Sequence, residues 1–148
     1  HTRDRRQRQM CIRDRIVEFI DIYPTLTELA NIPTPKEIEG QSLTPLLKNP
    51  LNRWNSFAIT QVLRPADSRL ESPVMGRSIR SERWRYSDWA EGKHGVELYD
   101  HFADPMEFNN LAIKPTRDNQ KIMKRLRKAL AQKASGQTPK TPFNPKRL

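Results

Sequence analysis

Between Met75 and Tyr99, apolar and polar residues alternate in a way that only paired extended strands satisfy. Ile79, Trp84, Tyr86 and Trp89 are interleaved with Arg80, Arg83, Arg85 and Asp88, and Ser81-Glu82 separates the runs Met75–Arg80 and Arg83–Trp89. Successive side chains of a strand point to opposite faces, so this spacing predicts half-buried antiparallel strands joined by a turn at Ser81-Glu82. Gly92 and Gly95 around Lys93-His94 predict a second turn, after which Val96, Leu98 and Tyr99 make a further short strand. Upstream, Phe57, Ile59, Val62 and Leu63 predict a strand over residues 56–63, closed by Arg64-Pro65. The expected assembly is a four-stranded antiparallel meander.

The period then changes. From Asn119 to Lys133, Ile122, Leu126, Ala129 and Leu130 share one helical stripe while Lys121, Lys124, Arg125 and Lys128 lie outside it. Such a helix is built to cover one face of the sheet, which gives an α+β fold. Residues 64–74 read as a long loop. Residues 100–111 read as an ordered connection, with a turn at Asp104-Pro105 and local backbone bonds from Asn109-Asn110.

An earlier segment has its own helical pattern: Ile16, Phe19, Ile20, Tyr23, Leu26 and Leu29 recur at helical spacing. Pro24 interrupts it, removing a backbone donor and crowding the preceding turn, so two short helices or a kink at Tyr23 are expected, with Thr25 capping the second piece. Residues 31–41 form a loop in which Gly40 is free to take positive φ. Ser42 then caps a short helix carrying Leu43, Leu46 and Leu47, which Asn49 and Pro50 end.

The formal charge of +10 invites a nucleic-acid reading, but its placement argues against a basic face. Residues 1–15 contribute +4 and residues 131–148 another +4, leaving +2 for everything between. The first segment has no apolar periodicity and is read as non-native or disordered, the alternative being a basic arm for an acidic partner. Cys11 is the sole cysteine, so no internal disulfide or cysteine-based metal site can form within one chain. No run approaches the ~18 apolar residues of a membrane-spanning helix.

Chemistry-bearing patterns are sparse. No serine or cysteine sits in a nucleophile elbow, and phosphate-cradling glycine motifs are missing. His94 and His101, with Asp100 and Asp104, do not match a standard metal spacing, and no metal is assigned. The arginines at 77, 80, 83 and 85, interleaved with aromatic rings, either form a face that grips an anionic sugar or are the solvated side of a sheet whose other side is an aromatic core.

Three stretches together resemble the C-terminal part of sulfatases of the alkaline-phosphatase-like superfamily. They are Val17-Glu18-Phe19-Ile20-Asp21-Ile22-Tyr23-Pro24-Thr25-Leu26 with Leu29-Ala30 and Gly40-Gln41-Ser42-Leu43-Thr44-Pro45-Leu46-Leu47; Met75-Gly76-Arg77-Ser78-Ile79-Arg80 with Trp84-Arg85-Tyr86; and Glu97-Leu98-Tyr99-Asp100 with Asp104-Pro105, Glu107 and Asn109-Asn110-Leu111-Ala112. Within the family, Thr60-Gln61-Val62-Leu63-Arg64-Pro65 and the Met75 to Tyr86 stretch look most similar to iduronate-2-sulfatase-type enzymes.

The resemblance implies hydrolysis of sulfate esters on a glycosaminoglycan or other sulfated polysaccharide, by a formylglycine nucleophile beside calcium. It implies a periplasmic, secreted or lysosomal setting, a sulfated carbohydrate partner, and neither a specific nucleic acid nor a membrane. In the family, formylglycine arises from a Cys/Ser-x-Pro-x-Arg motif and calcium is held by acidic residues of the large domain. Neither constellation occurs here, so no catalytic or metal-binding residue is carried over, and the chain alone is expected to be inactive. The family's C-terminal subdomain forms one wall of the substrate cleft, for which Gln61, Arg64, Arg77, Arg80 and Lys93 are the candidates.

The expected organisation is residues 1–15 outside the fold, 16–50 the end of the catalytic α/β domain and its connection, 51–133 the C-terminal subdomain, and 134–148 a flexible basic tail. A helix severed from the large domain would expose Ile16, Phe19, Ile20 and Tyr23. The competing readings are a basic module for nucleic acid or anionic glycans, which would keep its polyanion affinity after loss of residues 1–15 and 131–148, and an accessory sugar-binding domain without hydrolysis.

Overall fold

Strand alternation sets the architecture of the computed structural model, which describes residues 15–54, 57–66 and 72–134. Strands β1 (Ala58–Arg64), β2 (Val74–Arg80), β3 (Trp84–Trp89) and β4 (Val96–Asp100) form a four-stranded sheet in the order β1-β2-β3-β4. All three pairings are antiparallel, as the meander requires. In the register, Ile59 lies opposite Ile79, Ile79 opposite Tyr86, and Tyr86 opposite Leu98, so one apolar row crosses every strand.

That row faces the long helix Arg117–Ala134. Ile122, Leu126 and Leu130 are buried against Phe57, Ile79, Trp84, Tyr86 and Leu98, with Ala129 packed on the cluster's edge. The 3.6-residue stripe and the two-residue alternation thus close a single core. Lys133 ties the helix end to β1 by donating from Nζ to the Phe57 carbonyl at 2.7 Å, and Arg127 donates to the Glu91 carbonyl at 3.0 Å.

The β4-to-helix connection is ordered by side chains acting as surrogate backbone. Asn110 Oδ1 accepts from the amides of Leu98 and Ala112 at 3.0 and 2.9 Å, and its Nδ2 donates to the Val96 carbonyl at 3.3 Å. Asp104 accepts from the Asn109 amide at 2.7 Å, which holds the turn begun at Asp104-Pro105.

The described residues divide after Trp54 into two compact units, and the first has a different logic. A 3-10 turn (Phe19–Asp21) runs directly into helix α1 (Ile22–Leu29), so the chain forms two short helical pieces, with Pro24 in the first turn of α1 where a missing amide costs little. Thr25 lies inside this helix rather than capping it. Its Oγ1 donates to the Asp21 carbonyl at 2.5 Å and accepts from the Leu43 amide at 2.8 Å. Asp21, buried to 3% exposure, accepts from the Glu18 and Gln41 amides, both at 2.8 Å. Ser42 Oγ accepts from the Thr44 amide at the entrance to a short helix α2 (Thr44–Lys48). The long helix of the second unit is α3 hereafter.

Polar groups therefore hold the interior of this unit, while its apolar stripe faces outward: Phe19 is 89% exposed, and Ile20, Tyr23, Leu26 and Leu29 are exposed as well. Ile16 is the exception, being half-buried. Gly40 also differs from expectation. Its requirement is space rather than positive φ, because a Cβ there would stand 2.1 Å from the Ile20 carbonyl oxygen. Backbone cannot yield as a side-chain tip can, so Gly40→Ala is expected to destabilise this unit by roughly 1–3 kcal/mol. Faster amide hydrogen exchange from Asp21 to Leu43, with β1–β4 unchanged, is the expected readout.

Residues 1–14 and 135–148, including Cys11 and the basic termini, lie outside the described residues, as does the middle of the predicted 64–74 loop.

Candidate anionic-sugar surface of the sheet

The strand pleat divides the five candidate residues between two faces. Register places Gln61 opposite Arg77, on the face that carries Ile79 and Tyr86, whereas Arg64 and Arg80 share the opposite face with Ser78, Ser87 and Trp89. Lys93 lies in the turn between β3 and β4 and is exposed. The five thus do not converge on one point.

Their environments differ as sharply as their positions. Arg77 donates to Asp88 Oδ1 at 3.4 Å and approaches Glu91 at 3.9 Å. Asp88 is 1% exposed, so Arg77 neutralises a buried carboxylate. This corrects the reading of Asp88 as a member of the solvated side: alternation puts 84, 86 and 88 inward together and sends Trp89 to the other face. Arg80 donates to the carbonyls of Ser81 and Glu82, closing the β2–β3 turn over the positions predicted for it. Partial burial pulls the Arg80 guanidinium below its usual range.

Arg64 remains at the open end of β1 with its guanidinium 4.3 Å above the centre of the Trp89 ring. The indole is pressed against β2 because residue 76 is glycine; a Cβ there would stand 2.5 Å from the ring atom Cζ3. Arg64, Val74, Trp89, His94, Gly95, Val96, Glu97 and Asn110 line a cleft of about 380 Å3. That volume falls in the range of small-molecule sites, roughly 300–1,000 Å3.

Arg83, just before β3, and Arg85, within it, serve the fold. Arg83 makes a two-pronged bond to Asp100, Nε to Oδ1 at 2.9 Å and Nη2 to Oδ2 at 2.7 Å, while lying 4.7 Å over the Trp84 ring. Arg85 pairs with Glu107, whose second oxygen meets His101 Nε2. His101 is thereby engaged with Glu107, and His94 lines the cleft instead; among the described residues no group of three or more His, Cys, Asp or Glu could hold a metal. Calcium does not fit any cluster of described residues. Glu107 and Asn110 organise this end of the sheet: the backbone bonding expected of Asn109-Asn110 is made by Asn110, whereas the pairing of Glu107 with Arg85 and His101 carries no periodic signal in the sequence.

The Arg83 hydrogen bonds hold the Asp100 carboxyl below the ordinary aspartate value of 3.8, with the Phe102 amide at 3.1 Å adding to the effect. A depressed folded-state pKa means the stabilisation is fully present above the unfolded value and is lost as pH falls through the lower folded value. Asp100→Asn is therefore expected to lower the melting temperature at pH 7 and to narrow its deficit progressively below pH 4. Arg83 is 41% exposed on its side chain, which keeps the pH 7 effect modest, about 1 kcal/mol.

An antiparallel sheet covered by one helix is a widespread arrangement and does not by itself name a family. The C-terminal family of N-sulphoglucosamine sulphohydrolase matches residues 5–136, which takes in both units. The chain belongs to this sulfatase family.

Its relatives are sulfatases. Arylsulfatase K of Canis lupus familiaris is 31% identical over 104 residues, 67% of this chain and 19% of the relative. The Δ4,5-hexuronate-2-O-sulfatase of Bacteroides thetaiotaomicron is 35% identical over 96 residues, covering 65% of this chain and 19% of that protein. The sulfatase chain thus spans about a fifth of the length of these relatives. Among solved structures, a sulfatase of Bacteroides thetaiotaomicron superposes with a TM-score of 0.61 at 31% identity, over 78% of this chain and 24% of the other. A second solved structure, of a protein in complex with its substrate D-glucosamine-2-N,6-O-disulfate, gives a TM-score of 0.63 at 27% identity, over 78% of this chain and 23% of the other. The α+β sulfatase C-terminal architecture expected from the sequence is the one observed.

Proposed function

We propose that this chain is the C-terminal part of a sulfuric ester hydrolase acting on a sulfated glycosaminoglycan or related polysaccharide, and that it supplies a wall of the substrate cleft rather than the reacting groups. The family match over residues 5–136 carries this reading. The relatives named for hexuronate 2-O-sulfate and for glucosamine N,6-O-disulfate support sulfated sugars as the substrate class, and the hexuronate enzyme favours an iduronate-2-sulfatase-like specificity.

In this reading calcium and the formylglycine nucleophile belong to residues outside the chain, and the enzyme works in a periplasmic, secreted or lysosomal compartment. No described helix is long and apolar enough to cross a membrane. Arg64 and Lys93 are exposed groups available to a sugar, and Gln61, though exposed, lies on the other face of the sheet from Arg64; Arg77 and Arg80 act through the sheet, each already holding an internal partner. The outward stripe Phe19, Ile20, Tyr23, Leu26 and Leu29 docks on the catalytic body.

A protein containing this chain together with the catalytic body, assayed on disaccharides sulfated at the hexuronate 2-position, the glucosamine 6-position or the glucosamine nitrogen, is expected to release sulfate from the first at least tenfold faster. Equal rates on all three would remove the hexuronate specificity, and no sulfate from any of them would remove the hydrolase reading.

A further inference from the structure

Trp89 is held in an unusual way for an aromatic ring on the solvent side of a sheet. One face lies flat on Gly76, where any side chain would collide with the indole. The Arg64 guanidinium lies over the same ring, 4.3 Å from its centre. The ring is fixed by its backing, while its cover is a long flexible side chain whose stacking, at an exposed site, is weak and exchangeable.

The turn beside it is shaped to leave room. Ala90, Glu91, Gly92 and Gly95 all take positive φ, and the His94 amide bonds back to the Trp89 carbonyl at 3.1 Å. His94, Gly95, Glu97 and Asn110 line the cleft together with Arg64 and Trp89. Asn110 is held by its three backbone bonds, so its part of the lining is fixed as well.

We propose that this cleft is a binding site for one anionic pyranose ring, with Arg64 as a movable clamp. Arg64 leaves the indole and pairs its planar fork with the sugar's anion, a carboxylate or a sulfate ester. The uncovered face of Trp89 then stacks on the ring's C–H face, and His94 and Glu97 meet its hydroxyl groups. The carboxylate of Glu97 in the same cleft disfavours a ring with several negative charges, so a singly charged sugar is the fitting class. The choice of a sugar rests on the sulfated-glycan reading above; the clamp itself rests on the geometry of Arg64, Trp89 and Gly76.

The test is a titration of the 148-residue chain, followed by the indole N–H resonance of Trp89 assigned with Trp89→Phe. The probes are an unsulfated tetrasaccharide alternating glucuronate with N-acetylglucosamine, chitotetraose carrying 6-O-sulfate, and neutral chitotetraose. Saturable movement of the Trp89 resonance with either charged sugar, weakened at least tenfold by Arg64→Gln and less by Arg64→Lys, supports the proposal, and the tighter of the two identifies the anion. Unmoved resonances of Trp54 and Trp84 show that the variants keep their fold. Neutral chitotetraose binding as tightly, no movement at Trp89, or unchanged affinity in Arg64→Gln overturns it. Sulfate release by the larger protein is a separate readout: its absence would end the hydrolase reading and leave the clamp standing, whereas hydrolysis with an inert Arg64 would do the reverse.

Discussion

Arg77→Ala is expected to destabilise the sheet by about 3 kcal/mol, because it strands a carboxylate that the fold has taken out of water. Asp88 is 1% exposed and lies opposite Arg77 in the β2–β3 register, on the face that α3 covers. An isolated buried charge either remains ionised at a large desolvation cost or takes up a proton, and both routes weaken the folded state. The urea midpoint should fall clearly for Arg77→Ala, while Arg64→Ala, at an exposed strand end, should stay within about 0.5 kcal/mol of the parent chain. The double variant Arg77→Ala/Asp88→Ala should recover part of the loss. If Arg77→Ala instead left stability unchanged and weakened only sugar binding, Arg77 would belong to the substrate surface after all.

Leu126→Ala should cost a similar amount, about 3 kcal/mol, for a different reason. Leu126 is fully buried at the centre of the α3 stripe and is shared by the same cluster as Ile79, Tyr86 and Leu98. Truncation loses the transfer energy of the removed methyl groups and opens a cavity that strand and helix backbones cannot collapse. Lys124→Ala, two positions earlier on the outer side of the helix, is the matched control and should move the thermal midpoint little. Equal effects at 124 and 126 would mean that the helix does not pack on the sheet through this stripe.

The parts of the fold set by periodicity were readable in advance. Ile79, Tyr86 and Leu98 at two-residue alternation, and Ile122, Leu126 and Leu130 at helical spacing, form one core because both patterns describe the same buried face. Pairwise chemistry was not readable. Asp88 looked like a surface residue until its register with Arg77 was visible, and Thr25 looked like a cap until Leu43 was seen to donate to it. Gly40 and Gly76 are glycines because another chain segment or ring lies against them, a requirement set by residues distant in sequence. The same limit applies to the candidate site: arginines could be picked out as a group, but only the pleat separates Arg64 and Arg80 from Gln61 and Arg77.

In the proposed function, these residues shape a sugar-binding wall while the sulfate-cleaving groups lie outside them. Inorganic sulfate released from a 2-O-sulfated hexuronate disaccharide, measured in parallel for the isolated chain and for a protein that joins it to its catalytic body, addresses this directly. The joined protein should turn over and the isolated chain should release nothing above the uncatalysed rate. Turnover by the isolated chain, or an inert joined protein whose Cys/Ser-x-Pro-x-Arg residue has been converted to formylglycine, would contradict it.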